Sequence, residues 1–276
     1  FIKGGNNRII LATDGDFNVG VTSNSELERM VEQEREKGTF ITVLGFGMGN
    51  YKDNRLETIA NKGNGNYAYI DNIQEARKVL VQEFGGTLFT IAKDVKFQIE
   101  FNPVHVHSYR LIGYENRLLN DEDFNDDTKD AGEMGSGHTV TALYELIPAG
   151  RGDVNPLVDP LKYQRNDSQP VMLLNDELVT VKLRYKDPDG SESRMFEEVV
   201  LRGDQSFDRS SENLRFSAAI AAFGMMLRDS DYKGEITYDR IIEIASGARG
   251  KDPDGYRAEF VRLVAAAAGI TSKHWH

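Results

Sequence analysis

The sequence contains no cysteine. That excludes disulfide staples, thiolate nucleophiles and thiolate-held metals, and it fits a cytosolic protein or an exported one that needs no cross-links. Long apolar runs are missing too: nothing approaches the roughly 18 uninterrupted residues of a membrane-spanning helix. Positive charge is in deficit, with 33 Lys and Arg against 44 Asp and Glu and a net charge of −11. This argues against nucleic-acid phosphate as the main partner, because that binding relies on clustered cations. The chain opens on Phe1 with no charged-then-apolar leader, and is expected to be a fragment or a processed product. What remains is ordinary: 276 residues, 39% hydrophobic and 28% charged, enough for one large or two to three modest domains. Most of the acidity sits in residues 92–208, which carry a net −10.

Apolar periodicity divides the chain into three expected parts. Residues 1–91 alternate strand and helix: a buried strand at Arg8–Ala12, a helix from Asn24 to Lys37 ended by Gly38, and a strand at Thr39–Phe46. A short helix at Asp53–Asn61 and a strand at Tyr67–Ile70 follow, then a helix capped by Asp71 with Ile73, Ala76, Val79, Leu80 and Phe84 inward. Strands separated by helices imply a parallel, doubly wound sheet. Residues 92–208 change to a period of two. In "DVKFQIEFN", Val95, Phe97, Ile99 and Phe101 share one face, and Lys96, Gln98 and Glu100 share the other. Four similar stretches follow, with "DPDG" at 187–190 as a hairpin turn, so an antiparallel β-sandwich is expected. Residues 209–276 return to helical spacing in three helices, the first capped by Ser210 or Ser211.

The stretch "RIILATDGDFNVG" runs a buried strand into Asp14 and Gly15, with Asp16 two residues on. An acid at the carboxyl end of a parallel strand sits where open α/β sheets bind ligands. The same stretch, followed by "TFITVLGFGMGNYKDNRLETIANKGNGNYAYIDN", resembles the second half of a von Willebrand factor type A domain. The downstream "LLNDEDFNDDTKDAGEMGSGHTVTALYELIP" is similar to the region that follows the A domain in bacterial envelope-associated proteins.

That resemblance implies a non-enzymatic, adhesion-type protein-binding module at the cell envelope, in periplasm or on the outer surface. It also implies a divalent cation, Mg²⁺ or else Mn²⁺ or Ca²⁺, that recruits an acidic group on a protein ligand. In the family, Asp-x-Ser-x-Ser after the first strand, a Thr from a later loop and the Asp of "T-D-G" hold the ion. Only the last has a counterpart here, Asp14, so the site is expected to be incomplete in this chain. The family's first strand, which lies beside the one ending at Asp14, has no counterpart either. Arg8–Ala12 is then an exposed apolar edge, which the missing half-domain or a neighbouring chain is expected to pair.

Other constellations compete. Asp14 as nucleophile and Asp16 as general acid–base would suit an aspartate-based phosphatase, with Asp204 and Asp208 after a later strand as a magnesium motif. Asn18 departs from that signature, and the intervening antiparallel strands cannot join the two motifs in one parallel sheet. The acidic loop "NDEDFNDDTKDAGE" offers Asp121, Asp123, Asn125, Asp127 and Asp130 as Ca²⁺ ligands. Thr128 and Met134, however, stand where an EF-hand wants glycine and glutamate. His105 and His107 form a candidate metal pair without a third ligand, and Arg-Gly-Asp at 151–153 and 202–204 reads as turn sequence. A final alternative leaves the A domain as a metal-free scaffold, with the sandwich making the partner contacts.

Overall fold

The computed structural model describes residues 1–2, 5, 7–14, 23–47, 53–114, 118–129, 131–150, 176–188 and 190–273. The chain is a mixed α/β protein with a parallel sheet, antiparallel sheets and helices. It divides into two compact units, each assembled from separate stretches of chain: residues 1–99, 119–140 and 181–198 in one, residues 100–118, 141–180 and 199–276 in the other. This partition differs from the expected boundaries after residues 91 and 208.

In the first unit, β1 (Asn7–Thr13), β2 (Thr39–Phe46) and β3 (Tyr67–Ile70) form a parallel sheet in the order β1-β2-β3. The helices α1 (Asn24–Glu36) and α2 (Asp53–Lys62) contribute Leu27, Val31, Leu56, Ile59 and Ala60 against Leu11, Ile41, Val43 and Tyr67. Residues of the opposite parity, Leu44, Phe46, Ala68 and Ile70, pack with Ala76 and Val79. Covering on both faces is what a parallel sheet requires, and it explains the near-continuous apolar run of β2. The glycines of "KGNGN" let the α2–β3 connection press on β2: a Cβ at Gly65 would lie 1.8 Å from the Ile41 carbonyl oxygen. β1 is covered much less. Ile9 is 51% exposed and Ile10, facing the other way, 39%.

The helix after β3 is broken. Asn72, not Asp71, caps α3 (Ile73–Arg77), its Oδ1 accepting from the Gln74 and Glu75 N–H groups at 2.8 and 3.0 Å. A π-helical turn at Lys78–Gln82 and α4 (Phe84–Leu88) follow. The Glu83 N–H reaches back five residues to the Lys78 carbonyl, so the inward stripe slips. Val79 stays buried, while Ile73 and Leu80 face outward.

β4 (Thr90–Phe101), β6 (Gly132–Gly135), β8 (Glu177–Lys186) and β9 (Ser193–Leu201) form a sheet ordered β6-β4-β8-β9. β4 and β6 are antiparallel, with register shifts between Thr90 and Val95. Asp94 takes φ 53° at this irregularity. The alternation expected along "DVKFQIEFN" fails just beyond it, where Lys96 is 2% exposed and Phe97 54%, and resumes with Ile99 and Phe101 half-buried and Gln98 and Glu100 exposed. The "DPDG" turn stands as expected, the Gly190 N–H donating to the Asp187 carbonyl at 2.9 Å.

In the second unit, β5 (Val106–Ile112) and β7 (Leu143–Pro148) pair antiparallel. Tyr109 and Tyr144 on this pair stack with Phe101 at the end of β4, ring centroids 4.6 to 6.5 Å apart. Arg110 pairs with Glu145 across the strands, and its guanidinium lies 4.2 Å over the Tyr232 ring. Three helices follow: α5 (Glu212–Leu227), α6 (Tyr238–Gly247) and α7 (Tyr256–Lys273). Ser211 caps α5 through the Leu214 N–H. Phe216, Ala219, Phe223, Ile241, Ala245 and Val264 form their core, with the Phe260 ring edge-on to both Phe216 and Phe223.

Asp252 starts α7, accepting from the Arg257 and Ala258 N–H groups at 3.1 and 2.8 Å. Burial pushes its carboxyl up, but those two N–H groups and the Arg249 and Arg257 charges together hold it below the usual carboxylate range. A depressed folded-state pKa means the contribution is complete above the unfolded value and lost as pH falls through the folded one. Asp252→Asn is expected to cost about 1 kcal/mol at neutral pH, the difference between a charged and a neutral acceptor, and nothing once Asp252 of the wild type is protonated in both folded and unfolded states, well below about pH 4. Urea unfolding of both proteins across that range checks the convergence.

Candidate functional site

The carboxyl ends of β1, β2 and β3 are level: Thr13 is opposite Gly45, and Gly45 is opposite Tyr69. Asp14 follows β1 as an exposed residue at this edge of the sheet. Gly47, one residue past β2, has φ 104°, a region that favours glycine, and a Cβ there would come 3.7 Å from the Asp14 Cβ. The Tyr69 hydroxyl donates to the Gly47 carbonyl at 2.5 Å, tying the exits of β2 and β3 together. The sheet thus presents one carboxylate beside a backbone turn, where parallel sheets place their ligands. Asp16 and Asn18 lie outside the described residues.

β1 is held from its amino-terminal end. Arg8 donates to the Thr42 hydroxyl at 3.1 Å, and its guanidinium sits 5.4 Å over the Phe40 ring. Burial pushes the Arg8 guanidinium down, while the Glu133 carboxylate of β6 pushes it up. Glu133 also accepts from the Asn64 amide at 3.2 Å.

The acidic loop is organised by protein cations. Lys96, on β4, donates to the carbonyls of Asp123 and Asp126 at 3.0 and 2.6 Å. Lys186, on β8, donates to the Asp94 carboxylate at 2.6 Å and to the Asp127 carbonyl at 2.7 Å. Arg184 reaches the Asn125 and Asp127 side chains at 3.3 and 3.2 Å, and Lys129 pairs with Asp123 at 3.5 Å. The Ser193 hydroxyl and Arg184 hold the Asp127 carboxyl below its ordinary range. Asp121 lies in the short 3-10 turn Asp121–Phe124 that places Phe124 in the interior, and Asp130 is outside the described residues. Sequence reasoning missed Lys96 and Lys186 as organisers. Lys96 stands between Val95 and Phe97 and Lys186 between Tyr185 and Asp187, and alternation alone assigns a strand lysine to solvent.

The remaining candidates do not converge. His105 stands in the turn before β5, and a register shift between Val106 and Ser108 separates it from His107. Asp204 and Asp208 follow β9, on a different sheet from the one ending at Asp14. Arg202-Gly203-Asp204 is an exposed connection, and the triplet at 151–153 lies outside the described residues. Among the described residues, no three His, Cys, Asp or Glu side chains are grouped to hold a metal ion. No described helix is long and apolar enough to cross a membrane.

Two solved structures show weak likeness. A von Willebrand factor type A protein from Catenulispora acidiphila is 15% identical, with a TM-score of 0.41 over 89% of this chain and 56% of its own. The human COPII-coat protein Sec24c is 9% identical, with a TM-score of 0.37 over 87% of this chain and 32% of its own. Likeness at that level establishes nothing further. The sequence relation is much stronger. The chain is 45% identical over 271 residues, 98% of its length, to the "Uncharacterized protein YfbK" of Escherichia coli (strain K12), and spans 46% of that protein. Residues 86–270 match the family model described as "Uncharacterized protein YfbK, C-terminal". The chain belongs to this YfbK C-terminal family.

Proposed function

We propose that the chain is a protein-binding module whose parallel sheet belongs to an A-type domain and takes part in recognition through the end that carries Asp14. The observation that carries this reading is the exposed Asp14 carboxylate at the carboxyl end of β1, beside the positive-φ turn at Gly47. The order β1-β2-β3 agrees with the sequence resemblance, and the exposed Ile9 and Ile10 support a further strand beside β1 in the complete domain. That strand belongs to the rest of the A-type domain or to a neighbouring chain.

One carboxylate does not make a divalent-cation site, and the donors described here do not fit one by themselves. Asp14 therefore contributes one ligand to a Mg²⁺, Mn²⁺ or Ca²⁺ ion whose other ligands come from outside this chain. An oxygen-held hard ion keeps an open position for a carboxylate, so the partner is a protein that presents an acidic group. The sequence resemblance supports a cell-envelope location and a non-catalytic role.

Calorimetric titration of Mn²⁺ tests the reading. It is run on a form of the protein extended to the length of its E. coli relative, and on that form with Asp14→Ala. Binding that disappears in the variant is the expected outcome. Binding that survives the substitution removes Asp14 from the site. An absence of binding in both forms turns the parallel sheet into a scaffold and moves recognition to the antiparallel strands.

A further inference from the structure

The acidic loop has the parts of a cation-binding loop, carbonyls and carboxylates gathered within a dozen residues, but three of its carbonyls turn onto lysine ammonium groups. Lys96 and Lys186 are 2% and 8% exposed. A buried ammonium is tolerated only when its N–H groups are paired, and each of these meets two oxygens. Lys96 has two carbonyls, those of Asp123 and Asp126. Lys186 has one carbonyl, that of Asp127, and the Asp94 carboxylate. Because Asp126 and Asp127 are adjacent, the two ammonium groups bind under a single turn of the loop. Asp94 completes the enclosure, its second carboxylate oxygen accepting from the Ala131 N–H at 3.3 Å, where the loop leaves toward β6.

We infer that Lys96 and Lys186 are the resident cations of this loop. They supply, from β4 and β8, the positive charge that a loop of this composition would otherwise draw from a bound metal ion, and the loop keeps its shape without one. The irregularity at Asp94 is part of the device. It turns Lys96 inward under the loop and places the Asp94 carboxylate against Lys186. The inference is independent of Asp14: it makes any cation dependence of the protein a property of the parallel sheet and not of residues 120–131. It also gives β6 a fixed starting point, from which Glu133 meets Asn64 and Arg8.

Hydrogen–deuterium exchange on the intact chain tests it, read in peptides covering residues 119–131, with millimolar Ca²⁺ or with EDTA. The wild-type protein is expected to exchange at the same rate in both. Lys96→Met is expected to exchange at least ~100-fold faster in those peptides, because two part-buried carbonyls and a turn lose their counter-charge. Slower wild-type exchange in Ca²⁺ would overturn the inference, as would unchanged exchange in Lys96→Met. If Lys96→Met unfolds the unit as a whole, the wild-type comparison decides alone.

Discussion

Lys186→Met is expected to destabilise the chain by about 3–5 kcal/mol, because it leaves the Asp94 carboxylate buried without its partner. The two side chains are 10% and 16% exposed and 2.6 Å apart, so solvent screens them little. The Asp127 carbonyl loses its donor in the same substitution. Asp94→Leu should cost more, because it leaves an ammonium without a carboxylate and also puts leucine at a φ of 53° that it adopts poorly. The double variant is the informative one. With both charges gone, the site holds two apolar side chains, and the total cost should fall short of the sum by about 1–3 kcal/mol. Denaturant unfolding of the four proteins closes this cycle. Additive costs would mean that the pair does not act as a unit.

Leu56→Ala is expected to cost about 2.7–5 kcal/mol. Leu56 is fully buried between α1, α2 and the face of β2, where Val31, Val43, Ile59 and Ala60 meet it. The loss combines the transfer term of the missing carbons with the cavity left behind, and the place in that range depends on how far α2 can settle. α2 is tied to β2 by more than side chains, because Gly63 and Gly65 bring the connection after it against Ile41. Little settling is available, so the upper part of the range is expected. Thermal unfolding followed by circular dichroism measures it. A loss below about 1 kcal/mol would show that this face is not closely packed.

The parallel sheet was legible in the sequence because its signals are local and mutually consistent. Thr39–Phe46 and Tyr67–Ile70 are bounded by glycines and turn residues, and their apolar runs admit one reading. Capping was nearly as clear, with Ser211 in its expected role and Asn72 displacing its neighbour Asp71. The errors have a common cause, a single residue that shifts a period. Asp94 breaks the alternation of β4 at Lys96 and Phe97, and the π-helical turn at Lys78–Gln82 rotates the stripe that followed Ile73. Neither leaves a mark in the pattern of apolar residues. β6, "GEMG", has no strand pattern at all and exists because β4 offers it an edge. Asp14 was found from strand, turn and resemblance together. The acidic loop was found as a collection of carboxylates, and its lysines lie too far away in sequence for spacing to connect them.

The distance along the chain between Asp94 and Lys186, 92 residues, has a consequence for biosynthesis. At typical translation rates, roughly 5–20 s separate the emergence of one partner from that of the other. During that interval Asp94 and Lys96 have left the ribosome, while β8 and Lys186 have not. The first unit therefore stays unfinished until Val181–Glu198 arrives, well after the parallel sheet has been made. A ribosome-bound nascent chain stalled before residue 177 should show α1, α2 and β1–β3 protected from protease, and residues 119–140 open to it.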